Sequence, residues 1–138
     1  MKKVVMGAVA AGVFLAGAGT AVASSWQSLQ ETRASGAVLL QGRYRFNPPE
    51  RNHGSFEWTG YLQDTDANDR SNTFVRVRVE GRGWVRYYGE QRQTVYMHHF
   101  NWEGSQRYTD DAELGVCVDK GAFKVNSCSR EHHYHIEH

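Results

Sequence analysis

The chain has 138 residues, a formal charge of +1 and an aromatic-rich composition with four Trp, seven Tyr and six Phe. Its positive and negative residues are interspersed, which excludes the concentrated basic footprint that a nucleic-acid partner requires. The length fits one domain, and a domain of this size gains from a covalent staple.

Met1-Lys2-Lys3 precedes an apolar run from Val4 to Gly19, and Ala21-Val22-Ala23 stands before Ser24. A positive start, an apolar middle and a small-x-small site predict a signal peptide over 1–23. The run is short against the roughly 20 apolar residues of a membrane span, and no Cys near Ser24 offers a lipid attachment. The expectation is a secreted chain that begins at Ser24, carries a formal charge of −1 once Lys2 and Lys3 are gone, and has no membrane contact after cleavage.

Residues 24–36 are polar, with Trp26 and Leu29 as the apolar anchors. They lack strand alternation and read as an N-terminal arm. Three readings stay open: a floppy arm, a short helix, or a segment ordered by a partner. If the arm docks a partner, Trp26 and Leu29 are its predicted contacts, and its removal should leave the fold intact.

From residue 37 the period becomes two. Val38, Leu40, Tyr44 and Phe46 are expected on one face, with Gln41, Arg43 and Arg45 on the other. Pro48-Pro49 ends that strand. Phe56, Trp58 and Leu62 alternate with Glu57, Thr59 and Gln63, and a polar loop over 64–72 leads into the Val75, Val77, Val79 strand. Trp84 to Tyr88 and Thr94 to Trp102 follow as extended segments. Leu114, Val116 and Val118 share a face that excludes Cys117, and Phe123 with Val125 predicts a last short strand. About seven short strands, separated by turn signals and without a convincing helix, predict an all-β fold, a single antiparallel β-sandwich over 37–128 with a small barrel as the variant. Residues 129–138 form a His-rich tail.

Cys117 and Cys128 are the only cysteines. In an oxidising compartment they predict a disulfide, which by loop-closure entropy stabilises by about 3 kcal/mol. Two cysteines without further ligands make a poor zinc site. Asp64-Thr65-Asp66-Ala67-Asn68-Asp69 opens like a calcium loop, but Asp69 stands where glycine is needed and Val75 where a bidentate Glu is needed. A solvated turn with Asx hydrogen bonds is the preferred reading. His132, His133, His135 and His138 lie close together at the tail and offer incidental metal affinity without fixed geometry. His98 and His99, adjacent in a strand, must face opposite ways.

No Gly-x-Ser-x-Gly, no His-Glu-x-x-His and no spare Cys is present, and Glu57, Asp110, Asp111 and Glu113 show no catalytic pattern. No catalytic residue, metal or cofactor is predicted. Trp58, Trp84, Tyr87, Tyr88, Tyr96 and Trp102 exceed what one sheet face needs. They can fill the core, stack on sugars or anchor a protein interface.

The stretch Gly60-Tyr61-Leu62-Gln63-Asp64-Thr65-Asp66-Ala67-Asn68-Asp69 with its following Val-Arg-Val strand, together with Val116-Cys117-Val118-Asp119 and Cys128-Ser129, resembles the small secreted β-sandwich proteins of filamentous Gram-positive bacteria. The similarity covers roughly residues 56–129. One subset it resembles is the adaptor subunit of umbrella-shaped toxin particles, in which an N-terminal arm docks into a lectin and the adaptor links it to a large toxin chain. The resemblance implies a non-catalytic protein-binding adaptor with co-secreted subunits as partners, in an extracellular toxin assembly. Two alternatives stand beside it: a carbohydrate or cell-wall binding module using exposed aromatics, and a small secreted inhibitor or antimicrobial effector.

Overall fold

A computed structural model of the chain describes residues 25–66, 68, 70–122 and 124–137. The expected signal peptide lies outside them, as do Ala67 and Asp69 of the calcium-like loop, Phe123, and His138 of the tail. Among the described residues ten strands follow in order: β1 (Gln27–Ser28), β2 (Thr32–Ala34), β3 (Ala37–Phe46), β4 (Phe56–Asp64), β5 (Asn72–Val79), β6 (Val85–Tyr88), β7 (Thr94–Asn101), β8 (Asp111–Asp119), β9 (Ser127–Cys128) and β10 (His132–His135). They make two antiparallel sheets packed face to face, a β-sandwich.

In the first sheet β3, β4 and β7 lie side by side, and β1 and β2 together line the free edge of β3. The second sheet repeats this plan. β8, β5 and β6 lie side by side, while β9 and β10 line the free edge of β8. Phe56, Trp58 and Leu62 of β4 meet Val75, Val77 and Val79 of β5 and Leu114, Val116 and Val118 of β8 in one core. Alternating apolar residues on both inner faces produce this layer, since every second side chain of a strand points to the same side.

The face expected for β3 is corrected by a bulge. The register to β4 shifts between Leu40 and Arg43, and Gln41 has φ 53°. One extra residue there reverses the parity of everything before it. Ala37 and Leu39 therefore reach the core with Tyr44 and Phe46 after the bulge, while Leu40 lies half-exposed on the opposite side. Val38 is also off the core face, although it is buried.

The segment read as an arm belongs to the sheet. Gln27 and Ser28 pair with Tyr44 and Arg43, and residues 32–34 pair with residues 37–39. The His-rich tail is likewise a strand: residues 132–135 pair with residues 111–114. Tyr134 is buried there, its ring 4.5 Å from that of Tyr44, and its hydroxyl accepts the Gln30 N–H at 3.3 Å. The last short strand falls on Ser127–Cys128 rather than on Val125, which is 91% exposed.

Cys117 and Cys128 sit directly opposite one another in β8 and β9 and are disulfide-bonded, with an S–S distance of 2.08 Å. The bond lies on the outer face of the second sheet, opposite to Val116 and Val118, and holds β9 on the edge.

Candidate functional site

Leu29 is a core residue, 8% exposed. Its N–H donates to the Gly42 carbonyl at 2.9 Å, and its side chain fills the space that a Cβ on Gly42 would take, 2.6 Å from Leu29 Cδ1. It is thus committed within its own sheet and offers no exposed contact. Trp26 stays half-exposed. Its ring lies over the guanidinium groups of Arg45 (4.4 Å) and Arg43 (5.0 Å) and meets His98 edge-on at 6.4 Å. The two predicted arm contacts are therefore separated: one faces the core and the other the outer face of the first sheet.

That outer face carries an unexpected buried carboxylate. Glu57 is 2% exposed. Its Oε1 accepts hydrogen bonds from Arg45 Nε at 2.8 Å and Asn47 Nδ2 at 3.1 Å, and its Oε2 lies 2.6 Å from His98 Nε2. Burial opposes its charge, but the bonds from Arg45, His98 and Asn47 outweigh burial and hold its carboxyl below the usual range. Alternation alone marked Glu57 as a polar-face residue. Its burial depends on the cross-strand partners that the β3–β4 and β4–β7 registers bring to it, and no local signal encodes those.

Further along the same face, Tyr61 and Tyr96 are directly opposite across β4 and β7, their rings 5.1 Å apart, and are 40% and 54% exposed. Leu40 stands beside Tyr61 on β3. The result is a short apolar strip running across three strands.

The strip ends at β7, which forms the outer edge of its sheet. Eight residues long, β7 pairs with β4 on one side and has no strand on the other among the described residues. Its inward side chains bolt it to the second sheet. Trp58 Nε1 donates to Asn101 Oδ1 at 3.0 Å, Asn101 Nδ2 donates to the Tyr87 hydroxyl at 2.8 Å, and His99 stacks on Tyr87 at 3.8 Å. Burial, with His98 adding to it, pushes the His99 pKa down. His98 and His99 do face opposite ways, one to Glu57 and one to Tyr87. A rigid strand with unpaired backbone groups at its edge can receive a further strand.

The other expected features resolve individually. Asp64 Oδ1 accepts the Asp66 N–H (3.1 Å) and its Oδ2 the Arg92 N–H (2.8 Å), while Asp66 Oδ1 accepts the Asn68 N–H (3.1 Å). These carboxylates order turns. Among the described residues no three His, Cys, Asp or Glu side chains gather as a metal site. His133 pairs with Asp111, and in β10 His132 faces the opposite way to His133 and His135. Trp102 is 44% exposed and stacks on His53 at 4.2 Å. Tyr88 covers Phe74, and Trp84 lies over Arg76 and Arg78 on the outer face of the second sheet. The six aromatics thus divide: Trp58 and Tyr87 line the interior and the others reach the surface.

No protein-family model matches this chain, and neither a curated protein nor a solved structure matches it.

Proposed function

We propose that this is a secreted, non-catalytic protein-binding module that works as an adaptor between co-secreted subunits, a lectin and a large toxin chain among them. The observation that carries the reading is the open β7 edge with Tyr61 and Tyr96 beside it. The opposite side of the sandwich is closed by broken strands, whereas β7 runs unbroken and carries no Lys or Pro to block pairing. An incoming strand gains main-chain hydrogen bonds from β7, and the two tyrosines supply side-chain selectivity on one face. Binding through this edge replaces docking through the arm, because residues 27–28 and 32–34 are already paired to β3.

The test is affinity purification of the protein from the medium of a secreting culture, followed by mass spectrometry. Wild type should retain stoichiometric partner subunits. A Thr94→Lys/Tyr96→Lys variant places two charges on the outer face of β7, at positions that are already exposed. It should keep its melting temperature within a few degrees and lose at least tenfold of the bound partner. A variant that folds and still retains its partners refutes the edge, and recovery of the wild type alone refutes the adaptor.

A further inference from the structure

The outer face of the second sheet holds a charge arrangement that its own residues leave unbalanced. Arg76 and Arg86 are directly opposite each other on β5 and β6. Like charges in that position repel unless an anion lies between them. Arg76 pairs with Glu131 through its terminal nitrogen, but its Nε is buried and has no acceptor among the described residues. Arg86 donates to the Tyr88 hydroxyl at 3.2 Å and lies over the Phe74 ring at 4.6 Å, with no carboxylate in ion-pair reach among the described residues. By contrast, Arg78 one row along is neutralised by Glu113 at 2.8 Å.

These two guanidinium groups border a shallow pocket of about 280 Å³ whose other walls are Trp84, Phe74, Val125, Asn126 and Cys128. Asn126 Oδ1 accepts the Lys120 N–H at 3.1 Å, which leaves its amide nitrogen to donate. Across the same loop, Arg70, Lys120 and Lys124 line an open cleft in which Asp119 is the one carboxylate among the described residues. The positive charge is therefore local, in a chain that is close to neutral overall.

We infer that this pocket binds an acidic sugar, a hexuronate unit whose carboxylate lies between Arg76 and Arg86. Paired planar guanidinium groups match a carboxylate through parallel hydrogen bonds. The Trp84 indole already packs on the Arg76 and Arg78 guanidinium groups. What it offers to the C–H face of a pyranose ring is its uncovered part, with Asn126 and the remaining guanidinium nitrogens around the hydroxyl rim. A shallow open site suits a ligand that is half polar, whereas a wholly apolar acid calls for a deeper, drier pocket. The adjoining basic cleft gives a second unit of an acidic polysaccharide a place to continue. This site lies on the sheet opposite to Tyr61 and Tyr96, so it is independent of the proposed adaptor contact.

The experiment is calorimetric titration of the secreted chain at low ionic strength with glucuronate, glucose, acetate and glucose 6-phosphate, and with oligogalacturonate as the polymeric source. Glucuronate should bind at least tenfold more tightly than glucose or acetate, and the oligomer more tightly still. Arg86→Gln removes the charge while keeping a polar side chain, and Trp84→Phe keeps an aromatic ring. The first should weaken glucuronate at least tenfold. The second should weaken glucuronate severalfold and remove one indole N–H resonance, which assigns the Trp84 signal in the wild-type spectrum. That signal should shift on adding glucuronate, a readout that needs no destabilising variant. Equal affinity for acetate or glucose, an unmoved Trp84 signal, or unchanged binding by a folded Arg86→Gln overturns the site. Glucose 6-phosphate binding as tightly as glucuronate overturns the choice of carboxylate.

Discussion

Glu57 sits on the outward side of its strand, yet three donors and the cover of neighbouring side chains keep it from water. Because its carboxyl ionises more readily folded than unfolded, it adds stability above the unfolded pKa, and this is lost as the pH falls through the folded value. His99 acts in the same direction. Burial and His98 lower its pKa, so below about pH 6.5 the unfolded chain takes up the proton first and the fold weakens. Glu80 opposes them, since burial and the charges of Asp110 and Asp111 raise its carboxyl and acid relieves it. The specific prediction uses Glu57→Gln, which removes one titration without changing size. Its melting temperature should fall several degrees below wild type at pH 7, and the gap should narrow as the pH falls through the acid range. Parallel curves across that range would show that Glu57 contributes nothing through its charge. A second pair of variants separates the two apolar residues of the first segment. Leu29→Ala should cost about 2–3 kcal/mol in denaturant unfolding, as a truncation within the core. Trp26→Ala gives up surface contacts with two arginines and should cost about 1 kcal/mol.

At the scale of elements, the edge strands β1/β2 and β9/β10 follow one design. Each breaks midway, over residues 29–31 and 129–131, and each break lies opposite a glycine, Gly42 in β3 and Gly115 in β8. Leu29 occupies the space over Gly42, while the Ser129 hydroxyl lies 3.3 Å from where a Cβ of Gly115 would stand and accepts the Val116 N–H at 3.0 Å. Gly42→Ala should therefore expel Leu29 and cost about 1–3 kcal/mol, read from the same unfolding curves. This design explains what was legible from the residues. The long strands β4, β5 and β8 announce themselves through strict alternation of Phe56, Trp58 and Leu62, of three valines, and of Leu114, Val116 and Val118. The broken strands do not. Two- and three-residue pairings give no period, and Tyr134 among histidines reads as tail until β8 supplies its register. The β3 bulge defeats alternation for a related reason, because the extra residue follows from pairing with β4. Of the candidate site, the disulfide was legible from cysteine count alone. The open edge and the Arg76–Arg86 pair were not, since both depend on which strands become neighbours.

For the whole molecule, the two sides of the sandwich differ. One is closed by the broken strands, which meet where Gln30 reaches Tyr134 and Tyr44 packs on it. The other presents β6 and β7, joined across the gap by Tyr87, Asn101 and His99. Deleting residues 25–34 should consequently destabilise the domain or prevent its folding, in contrast to the expectation for a detachable arm. Circular dichroism melts and size-exclusion chromatography of the truncated chain check this. Ending the chain at residue 130 should bare the β8 edge and remove Tyr134 from the core. The product should self-associate at concentrations where the intact protein is monomeric, as light scattering would report.

The contact between Gln30 and Tyr134 spans 104 positions in the chain. A growing polypeptide has made its first edge strand long before the residue that secures it exists. Native closure must await residues 132–135, and topologies ruled by such distant contacts fold slowly, on roughly the millisecond-to-second scale. A chain built this way stays open until β10 has emerged, and β10 is the strand that shuts the sandwich.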